Sequence, residues 1–133
     1  MSTTTTKEIP RSEWAAFFDA FSRQHERFRV SVEVLRPDIG AQLEGSALRF
    51  EGISRDAKED AHRFAITLGD EADRHVTHPI DTPTHVRLER SEYRGGTFET
   101  LEIETEDGTR TLVRFLVGVL PENMDGTVER RLL

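Results

Sequence analysis

Between Ser12 and Phe28 the apolar residues recur every three or four positions. Trp14, Phe17, Phe18, Phe21, His25 and Phe28 fall on one stripe, and Glu13, Asp19, Arg23, Glu26 and Arg27 lie mostly off it. That spacing is the period of an amphipathic helix and predicts one over about residues 12–27. Ile9 and Pro10 announce it, because proline costs nothing in a first turn whose N–H groups have no helical partner. In a small domain such a stripe covers a sheet. His25, at its end, reads as a capping or half-buried residue.

From Phe28 the period changes to two: Phe28, Val30, Val32 and Val34 share one face, with Arg29, Ser31 and Glu33 on the other. This is a half-buried strand. RPDIG at Arg36 to Gly40 is a turn. The next strand region carries Leu43, Leu48, Phe50 and Ile53 and is interrupted by Gly45 and Gly52, which predicts bulges and curvature. SRDAKEDAH (Ser54 to His62) reads as a charged loop, and Phe64, Ile66 and Leu68 alternate again up to Gly69. After the acidic DEADR connection, Pro79 makes HVTHPI extended and suits it to an edge. Val86 and Leu88 mark a further strand, and Gly95 with Gly96 turns the chain into another, which carries Leu101 and Ile103.

EDGT at Glu106 to Thr109 signals a hairpin. A two-residue loop sets Leu101 opposite Arg114, whereas a three-residue loop with left-handed Gly108 sets it opposite Val113 and keeps apolar partners together. The second is favoured. The elements predict an α+β fold: one N-terminal amphipathic helix on a curved, mainly antiparallel meander of about seven strands, curled towards a partial barrel. Residues 1–8 read as a disordered leader, 9–121 as a single domain, and 122–133 as a loose tail.

Composition narrows the function classes. The chain has 133 residues, no cysteine and a net charge of −7. Disulfides and thiol catalysis are therefore excluded. Acidic charge with no concentrated basic patch argues against nucleic acid. Arg87, Arg90, Arg94, Arg110 and Arg114 are interleaved with Glu89, Glu92, Glu99, Glu102, Glu104 and Glu106, a pattern that reads as a solvated sheet face. No apolar run approaches the roughly 18 residues of a membrane helix, and the N-terminus lacks the apolar middle of a secretory signal. These features point to a soluble cytoplasmic protein.

Candidate chemistry rests on the histidines. His75 and His78 form HxxH, and His85 follows. On a helix the first two would share a face and converge on an ion, but the extended chain at Pro79 sends them to opposite faces. A site across strands would join His78 and His85 with an acid such as Asp73 or Asp81, yet no known ligand spacing is completed. Ser46 and Ser54 lie in no GxSxG elbow, and the acids Asp70, Glu71 and Asp73 lack the remainder of a calcium loop. Gly95 and Gly96 sit between strands rather than before a helix, so they form no phosphate loop. No catalytic residue, cofactor or metal ligand set is assigned; His75, His78 and His85 stand as the metal candidates.

Several blocks in order, IPRSEWAAFFDAFSRQHE, SVEVLRPDIGAQLEG, HVTHPIDTPTHVRLE, LEIETEDGT and VRFLVGVLPENMDG, resemble a small bacterial family of uncharacterised proteins known as a domain of unknown function. The likeness spans about Ile9 to Gly126. It implies a cytoplasmic bacterial protein and makes the HVTH block part of the family's pattern, but brings no activity, cofactor or site residue. The expected function is a non-enzymatic accessory or protein-interaction module, with a protein partner or self-association. The alternative is a small-ligand or metal-binding protein using His75, His78 and His85.

Overall fold

The computed structural model describes residues 3–55, 63–69, 74–93 and 96–118. The aromatic stripe forms α1 (Trp14–His25), entered through a 3-10 turn (Arg11–Glu13) that starts at Pro10. Around it run β1 (Thr3–Ile9), β2 (Arg29–Arg36), β3 (Gly40–Arg55), β4 (Arg63–Gly69), β5 (His75–Asp81), β6 (Pro83–Tyr93), β7 (Gly96–Thr105) and β8 (Arg110–Gly118). All eight join one antiparallel sheet in the order β1-β6-β7-β8-β2-β3-β4-β5. The α+β class is therefore correct.

Two features differ from the sequence expectation. The stretch expected to be a disordered leader supplies β1, which pairs with β6 from Thr3↔Glu92 to Ile9↔Val86. A threonine run has no apolar period to reveal a strand, but its β-branched residues suit one once a neighbouring edge is offered. The second difference is in the pairing. The meander breaks between β5 and β6, which are joined by Thr82 alone and are not neighbours, and the two halves are united instead by β2 and β8. Asp81 and Pro83 are at most about 7 Å apart along the chain. The sheet must therefore curl until its far edge, β5, meets the second strand from the other edge. Thr82 makes this corner at φ 52°, and its carbonyl accepts from Glu106 N at 3.0 Å. The tail at 122–133 lies outside the described residues, as do residues 56–62 of the SRDAKEDAH loop.

Curvature follows the glycines. Register shifts occur in the β2–β3 ladder around Val32, whose partner is Gly45, and in the β3–β4 ladder between Phe50 and Gly52. At the second shift, Ile53 N donates to Ser22 Oγ at 2.9 Å, tying the helix to the bent strand. The β7–β8 turn has Gly108 at φ 88° and Leu101 opposite Val113, as the three-residue loop requires.

The concave face holds the core: Trp14, Phe18 and Phe21 from α1 meet Phe50, Phe64, Ile66, Leu101, Val113 and Phe115. Edge-to-face ring contacts fill it, with Phe18 and Phe64 centroids 4.7 Å apart and Phe50 and Phe115 5.1 Å apart. Trp14 buries its indole and donates Nε1–H to Ile9 O at 2.9 Å, so β1 is anchored to the helix as well as to β6. The other face of β6–β8 is charged. Arg87 stands among Glu102 at 2.5 Å, Glu104 at 2.9 Å and Glu8 at 3.5 Å, and Glu104 and then Glu102, with burial opposing, hold its guanidinium above its already high ordinary value.

Candidate functional site

The exit from α1 is built on an unusual backbone. Phe28 N donates to His25 O at 3.0 Å, Glu26 has φ −54° and ψ 131°, and Arg27 has φ 74°. This is a type II turn, whose third residue is ordinarily glycine. Arg27 N then donates to Phe50 O at 2.7 Å, and Phe50 N donates to Phe28 O at 2.8 Å. Such a pair of bonds defines a bulge whose first residue, again usually glycine, is left-handed. An arginine there costs about 1–2 kcal/mol of steric strain.

Beside this turn opens a cleft of about 650 Å³, lined among the described residues by Glu26, Arg27, Arg49 and Glu51. Glu51 accepts from His75 Nδ1 at 2.7 Å and from Arg49 Nη2 at 3.2 Å. Its charge is therefore shared by two donors. Arg27 and Glu26 are exposed and have no side-chain partner among the described residues.

On the inner side of the same turn, His25 is buried. Its ring stacks on Phe21 with centroids 4.0 Å apart and contacts Phe28 and Phe115 edge-on. Nδ1 lies 2.9 Å from Phe21 O, and Nε2 lies 2.8 Å from Glu99 Oε1. The arrangement is that of a structural clamp, since neither polar atom of the ring is left for a substrate.

A second, smaller cleft of about 190 Å³ opens at the mouth of the curled sheet, between Val34 and Arg36 of β2, His78 to Asp81 around Pro79, and the β7–β8 turn with Asp107. Burial pushes the His78 imidazole below its ordinary value; Glu44 partly opposes this and Arg36 adds to it. Asp107 accepts from Thr105 Oγ1 and Thr109 N, which hold its carboxyl below the usual range.

The three metal candidates go to separate places. His75 is on β5 opposite Gly69 and bonded to Glu51, His78 is opposite Ile66 in the small cleft, and His85 is on β6 with Nδ1 2.8 Å from Glu8 Oε2. That last contact holds the Glu8 carboxyl low. Asp81 pairs with Arg63 at 2.6 Å, while Asp70, Glu71, Asp73 and His62 lie outside the described residues, as does the side chain of Ser46. Among the described residues no three His, Asp or Glu side chains gather as a metal site would need. Nor is any helix among them long and apolar enough to cross a membrane.

Comparison with known proteins places the chain. The profile of DUF5335, described as a family of unknown function, matches residues 5–122. The chain belongs to that family. An uncharacterized protein of Aquifex aeolicus (strain VF5) is 30% identical over 118 residues, covering 88% of this chain and 98% of the relative. No solved structure matches.

Three functional candidates of this DUF5335 chain escape sequence reasoning. Arg27 is one, because a left-handed arginine carries no local signature. Arg49 and Glu51 become a unit only when β5 brings His75 alongside. Glu99 was legible in principle: it shares the odd-numbered face of β7 with Leu101 and Ile103, which are buried.

Proposed function

We propose that this protein is a non-enzymatic accessory module that docks an extended segment of another polypeptide along the first half of β3. The carrying observation is exposure. Leu43 is 65% exposed and Ile39 55% exposed, on the hairpin arm where β3 pairs with β2 from Gly40 to Leu48 but meets β4 only from Arg49 onward. Among the described residues that half of β3 has one strand neighbour, so its other edge offers unpaired N–H and C=O groups beside apolar side chains. This is the requirement for strand addition.

The net charge of −7 makes two copies repel and favours a basic partner over self-association. Asp38 and Glu44, both exposed on this arm, act in the same direction. The distribution of the histidines supports a non-catalytic reading, since each of His25, His75 and His85 is bonded to a different glutamate.

An array of extended peptides alternating apolar and basic residues tests the proposal. Binding peptides should protect the amides from Gly40 to Leu48 against hydrogen exchange, and Leu43→Lys should abolish capture without loss of fold. Absence of any capture, capture indifferent to Leu43→Lys, or protection confined to another strand would overturn it.

A further inference from the structure

Among the described residues nothing requires the strained residue 27 to be an arginine. The backbone at residue 27 needs only a left-handed conformation and one N–H for Phe50 O, and glycine supplies both at lower cost. Nor does the side chain repay the strain within the fold, because it is exposed and forms no ion pair or hydrogen bond among the described residues. Left-handed non-glycine residues of this kind concentrate at ligand sites, where the surrounding structure tolerates them. Here Arg27 lines the 650 Å³ cleft, a volume typical of small-molecule sites.

From this we infer that the Arg27 cleft binds a small molecule bearing a single carboxylate, which the guanidinium receives through paired N–H donors. A planar carboxylate matches the arginine fork. Of the other charged groups that line the cleft among the described residues, Glu51 is engaged by His75 and Arg49, so its repulsion of an incoming anion is reduced. Glu26 is not engaged. Because Glu26 opposes Arg27, the net attraction on an anion is weak and grows only in proportion to its charge, whereas the cost of stripping its water grows with the square of that charge, which favours a carboxylate over a doubly charged phosphate. The site is distinct from the β3 arm, and its failure would leave the docking proposal untouched.

Titration of the 15N-labelled full chain with acetate and, separately, with inorganic phosphate at pH 8, where phosphate is chiefly the dianion, tests this. Acetate should shift the Arg27 Nε–Hε resonance saturably and at lower concentration than phosphate. Arg27→Gly should remove the response of the Phe50 and Glu51 amides while raising Tm by about 2–4 °C through relief of strain. Arg27→Lys should weaken acetate binding about tenfold or more. The inference is overturned if Arg27→Gly still binds acetate saturably, if neither anion moves the resonance, or if phosphate binds as tightly as acetate.

Discussion

His25 Nε2 lies 2.8 Å from Glu99 Oε1, joining the last turn of α1 to β7 across 74 residues of sequence. Its Nδ1 lies 2.9 Å from Phe21 O, and a carbonyl can only accept, so Nδ1 carries a hydrogen. The Nε2–Oε1 contact then holds one proton between ring and carboxyl, in a setting where both side chains are largely shielded from water. His25→Ala or Glu99→Ala should each cost about 2–4 kcal/mol, because the survivor is left buried without its partner. The double variant should cost less than the two single losses added together. Urea unfolding of the four proteins measures this, and simple additivity would show that the contact contributes no coupling.

Acid should weaken the fold in part through His78. Its imidazole is held below its ordinary value, so as pH falls through about 6.5 the unfolded chain takes up the proton before the folded one does. With more protons bound in the unfolded state, stability declines from there down to the depressed folded value. His78→Gln should therefore show a smaller drop in urea midpoint between pH 7.5 and 5.5 than the parent protein.

Arg87 is the pivot of the outer charged face and Arg23 is a surface ornament. Arg87 faces three carboxylates from two neighbouring strands, and its side chain is 28% exposed, against 68% for Arg23, which pairs only with Asp19 one helical turn away. Arg87→Ala should destabilise by about 1–3 kcal/mol, because Glu102 and Glu104 are left to repel each other without a cation. Arg23→Ala should stay within about 0.5 kcal/mol. Chemical denaturation of both variants distinguishes a network from an isolated pair.

The contribution of β1 is concentrated at its end. Ile9 is 4% exposed and inserts into the core beside Trp14, whereas Thr3 to Glu8 are exposed. Ile9→Ala should cost about 2–4 kcal/mol, and Thr6→Ala less than about 0.5 kcal/mol. If both were silent in thermal unfolding, β1 would not be part of the cooperative fold.

What the sequence determined by itself is the local geometry. The spacing from Trp14 to Phe28 contains the helix and its buried stripe, and the alternation around Val30, Phe64 and Leu101 marks which side of each strand meets the core. Apolar matching of Leu101 with Val113 even selects the loop at Gly108. These features are readable because helix and strand periods are properties of neighbouring residues.

Only the tertiary structure decided which strands meet. The pairing of β2 with β8, the recruitment of a threonine run as β1 and the turning of Glu99 towards His25 join residues that are about 75–90 positions apart. No local period encodes them. They arise because one short sheet cannot bury its apolar face without curling, and the curl that closes it around α1 chooses the partners. The left-handed Arg27 belongs with them: its φ is imposed by two hydrogen bonds to His25 and Phe50 around it, one local and one reached only when β3 arrives.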